Sequence, residues 1–565
     1  MADAVVVGAG HNGLVAANLL ADAGWEVLVL EATGQPGGSV RTAELTAPGF
    51  HCDVFSAFFA LGAASPVLRR LELERYGLEW VHAPLVVAHP HGEGGCVVLS
   101  RDLAETSASL EAFAPGDGAA WERLYERWRR IRGPVLHGMF SLFPPIRAGL
   151  GLATRLPPRE LLRLARFALL PVRRLAEEEF TGPGGGLLLG GNALHADIGP
   201  EAPGSGFLGF LMASLGQELG FPAVKGGAGQ LTAALVRRLE AHGGQVACGA
   251  PVEALEIRDR RAVAVRTTDG QVVPVERAVV GAVDAITLYR DLIGEDHLPP
   301  SVVDDLRHFQ FDNATVKVDW AREGPVPWMA EPARRAGTVH LADSMDDLTM
   351  YSAQLACGLI PAKPLIVVGQ MTTTDPTRSP AGTETLWAYA HVPQTVRGDA
   401  GGELTGAWTD TEVQRFADRI EARIEAKAPG FRDRIRACHV MGPPRMQELN
   451  PSLVHGALNV GTAQLHQQLI FRPIPGLGRP TTPIRNVYLA SGSAHPGGGV
   501  HGAPGANAAT LAMRRARRAG APRRPSGAGR HPATGRSAGD PARPQRRPAC
   551  RDRGRQPGLG GSVAG

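Results

Sequence analysis

A chain of 565 residues with 44% hydrophobic residues has the composition of a globular protein, and its length predicts two domains rather than one core. The formal net charge of +4 misleads: fourteen arginines against two aspartates lie between Leu511 and the C-terminus, so the first 510 residues are net acidic, which argues against nucleic acid as a partner. No long uncharged apolar run predicts a membrane span, no basic leader precedes Val5, and the six cysteines form no C-x-x-C pair, so a cytoplasmic protein without a metal site is expected.

Val5–Val7 and Val27–Leu30 read as buried strands on either side of a helix, Leu14–Ala23, that stops at Gly24: one βαβ unit. Between residues 66 and 220 the pattern becomes helical. Amphipathic stretches occur at Trp121–Arg132 and Glu160–Leu170, Pro144-Pro145 and Pro157-Pro158 break them, and a Gly-rich loop is expected at 182–191. After Gly226-Gly227-Ala228-Gly229 follow a helix at Gln230–His242, a strand at Gln245–Cys248, and a hairpin of Arg261–Arg266 with Gln271–Val275 around Asp269-Gly270. Val279-Val280 leads into another helix, and Leu365–Met371 and Glu384–His391 are strand candidates. A last strand, Val487–Ala490, a turn at Gly497–Gly502 and a helix from Ala503 to Arg518 end the ordered pattern, with Pro504 suited to the helix's first turn. Residues 516–565, rich in Arg, Pro and Gly, hold too little apolar surface to fold and are expected to be a disordered tail.

Chemistry is carried first by Gly8-Ala9-Gly10-His11-Asn12-Gly13, placed after a strand and before a helix. Gly8 permits the tight turn, Gly10 lets backbone approach a pyrophosphate, and Gly13 lets the helix lie close on the strand. The helix N-terminus offers free N–H groups to the anion. Glu31 ends the next strand, where a carboxylate accepts from ribose hydroxyls and disfavours a 2′-phosphate. Then come Pro36-Gly37-Gly38-Ser39-Val40-Arg41, whose glycines bring N–H groups to a phosphate and whose Arg41 can pair with it or sit near an isoalloxazine. An NAD domain does not need this extension, so the cofactor expected is FAD.

Together with Pro48-Gly49-Phe50-His51-Cys52-Asp53, Gly77-Leu78-Glu79-Trp80 and the stretch Leu489–Gly502, these motifs resemble the FAD-dependent amine oxidase and phytoene desaturase superfamily, and within it the phytoene-dehydrogenase-related and carotenoid-isomerase-like oxidoreductases. The resemblance covers nearly all of residues 3–515. It implies an α/β fold in which a Rossmann-type FAD-binding domain is assembled from discontinuous segments (1–65, 225–300 and 481–515), with an inserted α+β substrate domain (66–224 and 301–480). It also implies flavin contacts from Gly492, His495, Gly498, Gly499 and Val500, and an adenine contact from the backbone of Val252. Near Ser491 and Ser493 this chain follows the Gly/Ser pattern of the desaturases, where amine oxidases often carry Asp. Read physically, the N–H groups of Val500, His501 and Gly502 could stabilise the negative charge of reduced flavin.

No Walker loop and no H-E-x-x-H occurs, and the one G-x-S-x-G lies in the tail without a strand or helix around it. No catalytic side chain is identified: His495, His501 and the pair His195 with Asp197 are read first as packing or backbone-bonding residues. Only one complete dinucleotide unit exists, so no dedicated NAD(P)H domain is expected and the electron acceptor is not specified. The expected activity is hydride removal from an apolar, carotenoid- or lipid-like small molecule. A flavin-dependent isomerase and a non-catalytic flavoprotein scaffold are the alternatives. The apolar residues Phe140, Leu142, Phe143, Leu150, Leu162 and Leu169, interleaved with Arg155, Arg159, Arg163 and Arg166, read either as an amphipathic cover for a pocket or as a peripheral membrane contact.

Overall fold

A computed structural model describes residues 2–92 and 94–520; the expectation for most of the tail lies outside them. The βαβ unit forms as its pattern requires: strand Ala2–Val7, helix His11–Ala21 and strand Val27–Glu31. These strands start a parallel sheet. Ala2–Val7 sits between Val27–Glu31 and the far half of Val272–Gly281, with Gln245–Cys248 outside the former and Val487–Leu489 outside the latter. In chain order the five parallel strands lie 3-2-1-4-5, the doubly wound arrangement whose ligand crevice opens at the C-terminal strand ends. A side-by-side meander, Val252–Arg258 and Arg261–Thr267, extends from Val272–Gly281, as the hairpin pattern predicts.

A second seven-stranded sheet runs Ile435–Met441, Ala314–Glu323, Thr383–Val392, Ile366–Gln370, Ala336–Leu341, Leu85–His91 and Gly95–Leu99, all antiparallel except the pair Ala336–Leu341 with Leu85–His91. The strand candidates at 365–371 and 384–391 are its inner members. Helices between residues 103 and 219 pack beside it around Trp121, Trp128 and Phe210, which are fully buried.

Residues 182–191 are not a loop. Gly182 caps the helix Pro183–His195, and residues 183–191 belong to it. Its glycines serve close packing: a Cβ on Gly185 would lie 2.4 Å from the Phe180 ring, and one on Gly191 2.5 Å from His340 Nδ1. On the neighbouring helix Ser205–Leu219, a Cβ on Gly209 would lie 2.4 Å from the Leu189 carbonyl oxygen. Tertiary packing here outweighs the helix-propensity cost of about 1 kcal/mol per glycine.

Buried ions join the two sheets' neighbourhoods. Asp53, on the short strand Cys52–Asp53, pairs with Arg378 at 2.9 Å, and both side chains are enclosed. Asp53 also accepts from the N–H of Ala228 at 2.7 Å, which fixes the Gly226–Gly229 turn against it. Nearby, Lys317 on the second sheet pairs with Asp319, whose carboxyl is pushed up by burial against the pull of that lysine.

Candidate functional site

One cavity of about 560 Å³ runs from the C-terminal ends of the parallel strands to the second sheet. Its first wall is the glycine turn. Gly8 has φ +95°, a left-handed conformation that favours glycine. A Cβ on Gly13 would lie 2.1 Å from the Gly8 carbonyl oxygen, so Gly13 sets the helix–strand approach. A Cβ on Gly10 would meet no protein atom within 4 Å, because Gly10 faces the hollow. The Pro-Gly-Gly turn clips onto this one: Gly37 N–H donates to the Ala9 carbonyl at 2.9 Å, and Gly38 lies against Gly10. Gly8, Gly10, His11, Asn12, Gly38 and Arg41 therefore line the cavity, whereas Gly13 and Gly37 shape its wall from behind.

Glu31 stands at the strand end as its spacing predicts. Its carboxylate accepts from the Ala9 N–H at 2.7 Å and from the Thr33 N–H and hydroxyl at 2.9 and 2.8 Å. These donors aim the carboxylate across the cavity, where it has lone pairs left for a ribose. Glu31→Ala is expected to weaken FAD binding by about 1.5–3 kcal/mol, the range for a hydrogen bond to a charged group. An unchanged dissociation constant in a fluorescence titration would leave Glu31 as a brace for the glycine turn only.

The opposite wall comes from the C-terminal stretch. Ser491, Gly492, Gly498, Gly499 and Val500 line the cavity, together with Val252 and Pro251 from the meander. His501 and Gly502 do not. The His501 ring is enclosed against Phe140, its Nδ1 accepts from the Ala503 N–H at 3.2 Å, and burial holds its pKa down at about 3. Gly502 is occupied by its approach to Val15. His495 also turns away: its Nε2 lies 3.4 Å from the Gly138 carbonyl and its ring packs on Phe143.

Several wall residues have no motif. Asn450 donates to Ser39 at 3.0 Å, and Arg41 donates to the Leu449 carbonyl at 2.8 Å, so residues 449–450 lie against the Pro-Gly-Gly turn. Asn459 and Val460 line the cavity and are held by Asp312, which accepts from the N–H groups of Asn459 and Gly461 at 2.8 and 3.1 Å. Arg472 is buried behind them. It donates to the carbonyls of Gly492, Thr462 and Gly461, and burial pulls its pKa down to about 10. Burial and the charge of Asp197 push Asp312 up to about 6.

The residues present fit FAD. Gly10 leaves open space at a helix N-terminus, and Asn12 Oδ1, His11 Nε2 and Arg41 Nε are enclosed there without a protein partner. Burial holds the His11 pKa down at about 4, so it is a neutral hydrogen-bonding group rather than a counter-charge. Beyond this part the cavity ends against Phe58, Phe59, Met212, Phe221 and Trp387, with His195, Lys317, Tyr389 and His391 among them. His195 thus reaches the cavity. Asp197 does not accompany it; it turns to bond Asn313. Among the described residues no group of His, Cys, Asp and Glu is arranged to hold a metal ion.

Comparisons with known proteins agree with this geometry. The mouse pyridine nucleotide-disulfide oxidoreductase domain-containing protein 2 is 28% identical over 91% of this chain and 93% of its own. A lycopene-forming phytoene desaturase from Pseudescherichia vulneris is 24% identical over 91% of this chain and 99% of its own. The structure of cyclohexylamine oxidase from Brevibacterium oxydans IH-35A shares the fold, with a TM-score of 0.56 and 17% identity over 91% of this chain and 99% of that one. The family described as flavin containing amine oxidoreductase matches residues 13–347. That span is more than half of the sequence, and this chain belongs to that family as an FAD-dependent oxidoreductase.

Proposed function

We propose that the chain takes hydride from a largely apolar small molecule. In this reading the segments 1–65, 225–300 and 481–515 hold FAD, through Gly8, Gly10, His11, Asn12, Glu31, Gly38, Arg41, Val252, Gly492 and Gly498–Val500, and the remainder of the body shapes the substrate space. Bound FAD supplies the hydride acceptor. The protein's part is to hold the substrate close to the acceptor and to exclude water. The observation that carries this is the end wall: one cavity leads from the cofactor-type glycine turns to Phe58, Phe59, Met212, Phe221 and Trp387. The name of the lycopene-forming phytoene desaturase relative supports the same reading. Anaerobic mixing of the holoenzyme with apolar candidates is expected to bleach the flavin absorbance in a single-turnover reaction. Product that is isomerised with no net flavin reduction would favour the isomerase, and bleaching by no candidate would favour a scaffold.

We also propose a peripheral membrane contact on the helices Ile146–Ala153 and Pro158–Leu169. No helix among the described residues is long and apolar enough to cross a membrane. Ile146, Leu150, Leu162 and Leu169 are nevertheless exposed, Leu162 at 74%, beside exposed Arg147, Arg155, Arg159 and Arg163. Leu465 adjoins this face: it touches Gly204, whose N–H donates to the Leu169 carbonyl. Apolar groups rimmed by arginine suit an anionic lipid surface. The holoenzyme is expected to co-sediment with vesicles containing anionic lipid, and Leu162→Asp to reduce that binding about tenfold. Equal recovery with neutral vesicles, or no binding, overturns the contact.

A further inference from the structure

The end wall of the cavity is not uniformly apolar, and its polar members are arranged in a way that hydride transfer does not require. His195 ends the helix Pro183–His195, and its ring stands edge-on to Tyr389, with centroids 6.1 Å apart. Tyr389 and His391 follow each other on the strand Thr383–Val392, with ring centroids 5.4 Å apart. Thr315 from the adjacent strand holds His391 through Nδ1 at 3.1 Å. His391 Nε2 and His195 Nδ1 are enclosed with no protein partner. Tyr389 is half-buried beside them, and burial pushes its hydroxyl pKa up. Burial also keeps His195 neutral, its pKa pulled down to about 4.

Buried polar groups left unpaired are costly, and a fold that needed only a lipophilic lining would carry leucine and phenylalanine at these positions. The neutral imidazole of His195 and the phenol of Tyr389 each offer a donor and an acceptor, and His391, its Nδ1 held by Thr315, offers Nε2. Lys317, which also lines this end, is already paired with Asp319 and is not free to pair with an ionised ligand. A hydroxyl, which donates and accepts and carries no charge, matches these three groups.

We propose that His195, Tyr389 and His391 form a polar seat that holds a hydroxyl group on an otherwise apolar substrate. This deepens the proposed function and rests on its reading of the cavity as the substrate space. The seat is a specificity element: a site built to hydrogen-bond a hydroxyl strongly rejects the analogue that lacks it.

The test is a binding series on the holoenzyme, read by perturbation of the flavin spectrum: decan-1-ol, decane, decanoate and decylamine. Decan-1-ol is expected to bind on the order of 100-fold more tightly than decane. Tyr389→Phe removes only the hydroxyl, breaks no hydrogen bond in the chain and is expected to reduce that preference about tenfold. His195→Leu is expected to do the same, with FAD content unchanged. Equal affinity for alcohol and hydrocarbon, lack of binding by both, or tighter binding of decanoate or decylamine than of the alcohol overturns the seat. So does a preference untouched in both variants, which would leave these side chains to ordered water. Flavin bleaching is scored separately. Bleaching by apolar molecules without alcohol preference sinks the seat and keeps the proposed function, whereas alcohol preference with no bleaching by any candidate does the reverse.

Discussion

Gly10→Val is expected to give a folded, colourless protein. The position is unusual among the glycines of the turn because its substitution should separate folding from cofactor binding. Gly10 has φ −66° and ψ 165°, an extended conformation that valine adopts without strain. A Cβ there meets no atom of the protein within 4 Å. The space it enters is the floor of the cavity at the helix N-terminus, where a pyrophosphate must approach the backbone. Two methyl groups in that space would displace the phosphates, and overpacking of this kind costs about 1–3 kcal/mol before the lost N–H contacts are added. Affinity for FAD should therefore drop at least about 100-fold, while the far-UV circular dichroism and the apoprotein melting temperature stay those of the wild type. Gly13→Val is the contrast: its side chain would sit on the Gly8 carbonyl at 2.1 Å, and that variant is expected to misfold. A yellow Gly10→Val protein with full FAD content would remove the assignment of this turn.

That contrast shows what was legible in the sequence. Gly8, Gly10 and Gly13 act through backbone geometry and Glu31 through its place at a strand end, all within a single βαβ unit, so their spacing alone predicts their surroundings. The hairpin at 261–275 and the inner strands at 366–370 and 383–392 were equally readable from alternation and turn residues. The helix Pro183–His195 was not, because Gly190 and Gly191 report contacts with Leu348, Met345 and His340 that come from remote parts of the chain. For the same reason Asn450, Asn459 and Val460 carried no signal: a polar or branched residue in a loop says nothing until the loop is laid against Ser39 or against Gly492 and Gly498. The histidines divided along this line too. His495 and His501 stand beside the glycines in sequence yet turn away from the cavity. His195, some 300 residues earlier, enters it because its helix is packed by glycine against His340.

Arg472→Met is expected to be the most damaging single change behind the site. Arg472 lies in a segment without regular strands, and nothing in its sequence neighbourhood marks it. In the fold it is enclosed, and its guanidinium reaches the Gly492 carbonyl at 2.6 Å, the Thr462 carbonyl at 2.7 Å and the Gly461 carbonyl at 3.2 Å. Gly492 belongs to the C-terminal wall and Gly461 to the segment that Asp312 holds, so one side chain ties the two together. Methionine preserves much of the stem's packing and removes every donor. Three buried carbonyls then lose a partner, and Asp312 loses the nearby positive charge that offsets its burial. Removal of one side of such a buried arrangement costs about 3–5 kcal/mol. Arg472→Lys should recover only part of it, since an ammonium is a point donor and cannot span carbonyls that a planar fork reaches together. Urea unfolding followed by circular dichroism should show the loss in stability. A flavin-fluorescence titration should show weakened FAD binding in the fraction that remains folded, because Gly492, Asn459 and Val460 no longer have a fixed relation. Retention of both wild-type stability and wild-type affinity by Arg472→Met would mean that the two walls are held by the surrounding backbone and that the arginine merely fills space.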